Sequence, residues 1–329
     1  TQITGQGAIV FGNVGVYKLV ALVVIVTLLS IIIFGGIKRI ARFAQFVVPF
    51  MALGYIIMAL VIVFINIQEL PNVIRMIFAD AFTPMAGVGA AIGWGVKRGV
   101  YSNEAGQGTG PHAAAAAEVQ HPAQQGLVQS FSVYIDTLFV CSATAFMILI
   151  TGMYNVQGTL EAGQFIVQNV GATVEIGSPA FTQMAVSTVF GGFGQIFVAL
   201  AVFFFAFTTI IAYYYIAETN ITYLSYITKT PSLMFLTKCF IIAAVVYGVI
   251  SATGYIWGIG DIGVGLMAWI NIIGIILTYF IWKPTIKALR DYEKQQKAGV
   301  TEFTFDPVKL GIRNATFWED RLKNKSEKD

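Results

Sequence analysis

Apolar runs alternate with short polar breaks along the whole chain. A bilayer crossing takes about 20 mostly apolar residues. Seven stretches qualify: Tyr17–Gly36, Gln45–Ile67, Met85–Ala117, Leu127–Gly152, Phe190–Ala217, Leu236–Ser251 and Tyr255–Trp282. The third and seventh are interrupted by glycine and polar residues. The pattern predicts an all-α polytopic membrane protein with about seven transmembrane segments. Residues 1–283 form the transmembrane domain and residues 284–329 a C-terminal tail.

The third run contains the chain's sharpest anomaly, Gly-Val-Tyr-Ser-Asn-Glu-Ala-Gly-Gln-Gly-Thr-Gly-Pro at residues 99–111. Ser102, Asn103 and Glu104 are costly in hydrocarbon unless paired. Repeated glycine argues against a continuous helix. Non-helical backbone at membrane depth belongs where protein buries it or where it lines a cavity. Pro111 suits the first turn of a new helix over Ala113–Ala117, with Thr109 or Gly110 near its cap. The segment therefore reads helix, break, helix, with the break near residues 99–111. Free carbonyls before the break suit a cation, and free amides after it suit a carboxylate. Ser102 and Asn103 add neutral ligands. Glu104 has two readings: it pairs with Arg98 and locks the break, or it senses a cation or proton. Arg98 can also simply snorkel. The small residues of Ala86–Gly93 favour close helix packing.

Other polar positions have a bland and a sharp reading. Thr208 and Thr209 follow a phenylalanine run. Threonine often bonds the carbonyl one turn back; alternatively the two hydroxyls and the Phe205 carbonyl coordinate sodium. Tyr213, Tyr214 and Tyr215 bring phenols one turn on, and Glu218 reads as an interfacial residue. Asp261 is a functional candidate by its setting, or an interfacial or gating residue. Asp136 reads as a buried hydrogen-bonding group. Cys141 and Cys239 read as buried packing thiols. The linker over Gly158–Asn169 and Gly171–Phe181 either folds over an extracellular entrance or packs as an ordinary loop.

Composition agrees with a membrane protein: 57% of the 329 residues are hydrophobic and 11% charged, against about 25% charged in soluble domains. Lys38, Arg39 and Arg42 place the first loop inside by the positive-inside rule. Threading onward leaves the linker over residues 153–183, which has no lysine or arginine, outside and the tail cytoplasmic. Phe303, Phe305, Phe317 and Trp318 offer the tail a way to dock on the membrane surface. Enzyme chemistry finds little support. The only histidines are His112 and His121, with no HExxH, GxSxG or phosphate-loop pattern. No zinc spacing is present. The chain starts at Thr1, and a truncated N-terminus is expected.

At Lys97–Pro111 the chain resembles the alanine or glycine:cation symporter family, in its Arg-Gly-Phe-Ser-Asn-Glu-Ala-Gly signature. Gly35–Ile40, Val48–Ala52, Asp136–Thr137, Val140–Cys141, Phe205–Thr209 and Gly263–Met267 match in order. The resemblance implies a fold similar to the inverted repeat of the leucine transporter, with broken first and sixth helices. The third span would be the broken sixth and the fifth span the eighth. It implies sodium at Phe205, Thr208 and Thr209. Tyr101, Ser102, Asn103 and Gly106 would face the amino acid, with Thr209 and Tyr213 closing the pocket. Arg98, Glu104 and Asp261 are left as structural or coupling residues. Tyr101 stands where the family has Phe, and Thr109-Gly110-Pro111 where it has Ser-Ala-Pro. The broken first helix is expected to lie before Thr1.

The implied activity is sodium-coupled symport of alanine or glycine across the plasma membrane by alternating access. Its partners would be a small amino acid, sodium and the lipid bilayer. No nucleic acid, no cofactor, no catalytic residue and no metal beyond sodium are expected. The alternatives are a truncated, non-transporting membrane protein and a proton-coupled amino acid transporter.

Overall fold

The computed structural model describes residues 9–11, 14–35, 37–82, 90–115, 117–157, 165–172, 174, 177–251, 253–281 and 283–326. The order begins with a two-stranded antiparallel sheet, β1 (Ile9–Phe11) and β2 (Val14–Gly15), then α1 (Val16–Ile33), α2 (Ile37–Ile65), α3 (Leu70–Ala81), α4 (Ala90–Asn103), α5 (Gly110–Ala114), α6 (Pro122–Ile135) and α7 (Ser142–Ile150). An antiparallel hairpin follows, β3 (Asn155–Gln157) and β4 (Phe165–Gln168). Then come α8 (Ala180–Thr228), α9 (Ser232–Ile250), α10 (Thr253–Ile281), α11 (Pro284–Lys297), α12 (Pro307–Leu310) and α13 (Thr316–Ser326).

Six helices among the described residues are long and apolar enough to cross a membrane: Val16–Ile33, Arg42–Ile65, Pro122–Ile150, Ala180–Thr228, Ser232–Ile250 and Gly254–Tyr279. The expected third span is not among them, because its first described half, α4, is only 14 residues long before the chain breaks. The span over Pro122–Ile150 carries a π-helical segment, Asp136–Cys141, between α6 and α7. Such i→i+5 turns are rare and tend to occur at functional sites. Here Cys141 Sγ donates to Asp136 Oδ2 at 3.7 Å, so Asp136 is hydrogen-bonded as expected but only half-buried.

Two compact units emerge. One holds residues 1–98 and 135–258, the other residues 99–134 and 259–329. In the first, Tyr55, Met58 and Ile62 of α2 pack with Met147 of α7 and with Val186 and Val198 of α8. A second core joins Leu29, Ile32 and Ile33 of α1 to Phe207, Ile211 and Tyr214 of α8. Helix α8 is really two helices. Gly191 has φ 55° and ψ −139°, which glycine alone tolerates readily, and the chain bends there. The bend brings Gly194 so close to Val186 that a Cβ would sit 2.7 Å from its side chain. The outward faces stay apolar: Phe50 is 80% exposed and Trp269 70%. In water such surface would be an aggregation liability, whereas lipid covers it at no cost.

Two expectations need correction. Cys239 is exposed on α9 and Cys141 only half-buried, so neither thiol is the buried packing residue expected. The ends of the linker after Gly152 pair as the β3–β4 hairpin; residues 158–164 lie outside the described residues, as do residues 86–89 of the small-residue run. The tail aromatics do not form a membrane-facing patch. Phe303 packs against Tyr292 with the rings tilted by 39°, and Phe305 is buried against His121 and Trp318. Phe317 is exposed at 66%.

Candidate binding and coupling site

The break is real but shorter than the glycine pattern implies. Gly99 through Asn103 are still helical, since one glycine costs only about 1 kcal/mol in a helix. The chain leaves the helix at Glu104, with φ 56°, and Gly106 and Gly108 follow at φ 94° and 84°. Asn103 Oδ1 accepts from the Ala105 amide at 3.0 Å, closing the first helix. Pro111 opens α5 as expected. That second helix is five residues long, too short to build much of an axial dipole. Its free amides therefore offer a carboxylate less than the sequence reading anticipated.

Side chains hold the break in shape. Thr109 Oγ1 donates to Glu104 Oε2 at 2.5 Å, bridging its two ends. Buried Gln107 donates from Nε2 to the Val100 carbonyl at 2.7 Å, back across the break. Asn271 of α10 donates to the Gly106 carbonyl at 2.9 Å. The same asparagine lies against Gly108, where a Cβ would meet Asn271 Oδ1 at 2.8 Å. Glu104 is thus tied to Thr109 within the break, and no Glu104–Arg98 pair of the kind considered is seen among the described contacts. Arg98 lies over the rings of Trp94 and Trp257, 5.4 and 5.2 Å from their centres. Guanidinium and indole faces attract each other, more strongly where water is excluded.

Tyr101 and Asp261 come together. The phenol donates to Asp261 Oδ1 at 2.7 Å, and a Cβ on neighbouring Gly260 would stand 3.1 Å from the same oxygen of Tyr101. Two residues considered separately in the sequence are one hydrogen-bonded pair linking α4 to α10. Ser102, beside them on α4, is exposed.

In the other unit, Thr208 and Thr209 do what threonines in helices commonly do. Thr208 Oγ1 donates to the carbonyls of Phe204 and Phe205 at 2.7 and 3.1 Å, and Thr209 Oγ1 to Phe205 at 2.8 Å. Each hydroxyl spends its one proton this way and keeps oxygen lone pairs for a cation. Both threonines line a groove of about 330 Å³ with Phe43, Ala44, Val48 and Tyr215. Tyr213 lies one turn from Thr209 on α8. A second cavity of about 530 Å³ lies beneath the hairpin, among Tyr55, Thr144, Asn155, Phe165 and Thr182. Tyr55 and Thr144 hydroxyls are 2.8 Å apart at its wall. Residues of the hairpin and of the linker thus help to line this cavity.

The candidate residues fall in two groups. Tyr101, Ser102, Asn103, Gly106, Glu104 and Asp261 belong to one unit, and Arg98, Phe205, Thr208, Thr209 and Tyr213 to the other. Sequence reasoning missed Asn271 and Gln107. Asn271 had a visible signal, a lone amide in Trp-Ile-Asn-Ile-Ile, where nothing apolar could replace its hydrogen bond.

Comparison with known proteins places the chain in a family. Residues 2–306 match the model of the sodium:alanine symporter family. The carrier protein YrbD of Bacillus subtilis (strain 168) is 57% identical over 308 residues, 92% of this chain and 62% of its own length. The sodium/proton-dependent alanine carrier protein of Bacillus sp. (strain PS3) is 50% identical over 95% of this chain and 70% of its own. The sodium/alanine symporter AgcS of Methanococcus maripaludis is 34% identical over 87% of this chain and 60% of its own. The chain thus spans about two thirds of the length of these relatives. With a broken polar helix clamped by α10, six apolar helices and a family match over nearly all its length, the chain belongs to the sodium:alanine symporter family, whose members are membrane transporters and not enzymes.

Proposed function

We propose that the chain is part of a carrier that moves alanine, or the smaller glycine, together with sodium across the plasma membrane by alternating access. The observation that carries this reading is the Thr208–Thr209 pair on α8. It sets two hydroxyl oxygens beside the Phe205 carbonyl, within a family named for sodium and alanine. Hard oxygen donors of this kind suit an alkali cation. Tyr101, Ser102, Asn103 and Gly106 at the break would face the amino acid, with Thr209 and Tyr213 closing the pocket. The fold would be the leucine-transporter-like inverted repeat. The tail would lie in the cytoplasm and the β3–β4 hairpin outside, over the entrance.

Coupling requires that sodium favour the conformation that binds substrate, because an ion indifferent to the two states shifts nothing. The test is uptake of labelled alanine by the intact carrier in proteoliposomes, with sodium or choline outside. Sodium should drive uptake, and equal uptake in choline would refute the reading. Replacing Thr208 and Thr209 with valine should raise the half-saturating sodium concentration roughly tenfold, about 1.4 kcal/mol of lost coordination. Protons are the second candidate coupling ion, because two relatives are named sodium/proton-dependent.

A further inference from the structure

The second half of the broken helix cannot hold itself in place. Helix α5 has five residues, and a helix that short is marginal without packing. Gly110, Pro111, Ala113 and Ala114 offer little apolar surface, and no residue of α5 is buried. Its start is tied down, because Thr109 donates to Glu104 across the break. Its far end runs on through the Ala117 amide, which donates to the Ala114 carbonyl, toward residues 119–121.

The tail grips those three residues. Arg321 Nη1 of α13 donates to the Val119 carbonyl at 2.6 Å, and the Phe303 amide donates to Gln120 Oε1 at 3.0 Å. His121 has no exposed surface; its ring centre lies 5.1 Å from that of Tyr292 on α11 and 5.0 Å from that of Phe305. Phe305 in turn meets Trp318 edge-on at 5.2 Å, and the Arg321 guanidinium lies 5.5 Å from the Trp318 ring centre. The gripped residues also start α6, because the Ala123 amide donates to His121 Nδ1. Phe317 and Trp318 line a cavity of about 740 Å³ together with Pro111 and Ala114. The tail thus leaves space open beside α5, and α5 depends for its position on the residues at its two ends.

A strap of this kind acts as a lock or as a brace. A lock ties parts that must separate, whereas a brace ties parts that travel together. Each of these contacts ends on residues 119–121. Those residues, the polar break and the tail belong to one compact unit. The arrangement is that of a brace.

We propose that Phe305 and Arg321 are positioning residues: through residues 119–121 they hold α5, and with it the far side of the break, in the geometry that binds the transported amino acid. The link to the amino acid rests on the symport reading above.

Two variants loosen the grip and two restore it. Arg321→Met removes the donor to Val119, and Phe305→Ala removes the ring beside His121. Arg321→Lys keeps a donor, and Phe305→Leu keeps an apolar plug. The first readout is amide exchange of the intact carrier in detergent over residues 110–115, where the Ala115 amide bonds the Pro111 carbonyl. Exchange should quicken about tenfold in Arg321→Met and Phe305→Ala, and about twofold or less in the two conservative variants. The second readout is labelled alanine uptake in proteoliposomes at fixed sodium. Half-saturation should need about tenfold more alanine in the loosened variants, with the maximal rate per folded carrier within about twofold of wild type. A merely structural role would lower the amount of folded carrier and leave half-saturation where it is. Should Phe305→Ala fail to fold, Arg321→Met and its lysine counterpart carry the test. Wild-type exchange in Arg321→Met overturns the assignment. So does faster exchange with unchanged half-saturation, or a raised maximal rate, which a lock would give. A wild-type carrier whose uptake ignores sodium instead overturns the symport reading, and the exchange result then judges the brace by itself.

Discussion

The phenol of Tyr101 donates a 2.7 Å hydrogen bond to Asp261, tying the last turn before the break to α10. At this position the family resemblance leads one to expect phenylalanine, and the extra hydroxyl finds an acceptor across 160 residues of sequence. Removing it leaves the aspartate short of one donor. Tyr101→Phe should therefore cost about 1–3 kcal/mol of stability, the range for an acceptor left unsatisfied. Asp261→Asn keeps an acceptor and should cost less. Thermal unfolding of the purified carrier, with and without alanine, measures both. Equal melting temperatures for wild type and Tyr101→Phe would show that the bond does not contribute.

A second pair sets the shape of the break itself. Asn271 donates to the Gly106 carbonyl and leaves no room for a side chain at Gly108. Gly108→Ala meets two obstacles, a φ of 84° and a carbonyl oxygen 2.8 Å from the new methyl group. The backbone obstacle alone is of the order of 1–3 kcal/mol. Asn271→Ala removes the hydrogen bond and opens space. In the double variant the collision is gone while the backbone strain stays, so its loss of stability should be smaller than the sum of the single losses. Additive losses in a double-mutant cycle would show that the two residues do not compete for the same space.

The glycine and proline spacing made the break legible, because backbone preferences are local and here several of them fall together. Its limits were not legible. Gly99 reads as a breaker, but helical hydrogen bonds carry through it to Asn103. Asn271 resembles a harmless polar residue in an apolar helix, since asparagine can bond its own helix, as Asn220 does to Ile216. Only the packing of α10 beside the break shows that it serves another segment. The β3–β4 hairpin is hidden for a similar reason: strands of three and four residues carry too few side chains for alternation to show. The tail aromatics were visible, but their partner, His121, lies far away in sequence.

The glutamate and threonine that bridge the break give a test of local order. Thr109 is buried and donates to Glu104. Thr109→Val preserves shape and removes the donor, leaving Glu104 without that bond. Its cost should approach 1.5–3 kcal/mol, as for hydrogen bonds to charged groups. Thr109→Ser should retain most of the stability. The comparison is a melting curve of each variant, and a serine variant as unstable as the valine one would assign Thr109 a packing role.

His121 joins the tail to the loop before α6, and its chemistry predicts a pH response. Its ring is fully buried between Tyr292 and Phe305, with Nδ1 accepting from the Ala123 amide and Nε2 without a partner among the described residues. Around it, Phe303 donates to Gln120 Oε1 and Arg321 to the Val119 carbonyl. Burial pushes the histidine below its ordinary value of 6.5, against the opposing pull of Asp291. The docked ring is therefore neutral, and an undocked ring binds a proton more readily. Docking is complete above pH 6.5 and weakens as pH falls below it, where protonation favours the undocked tail. Amide exchange at Phe303, corrected for the intrinsic effect of pH, should show protection at pH 8 and loss of it near pH 5. His121→Phe keeps an aromatic wedge without a titrating group, so its protection should not change with pH. If wild-type protection at pH 5 equals that at pH 8, the docked tail does not depend on the charge of His121.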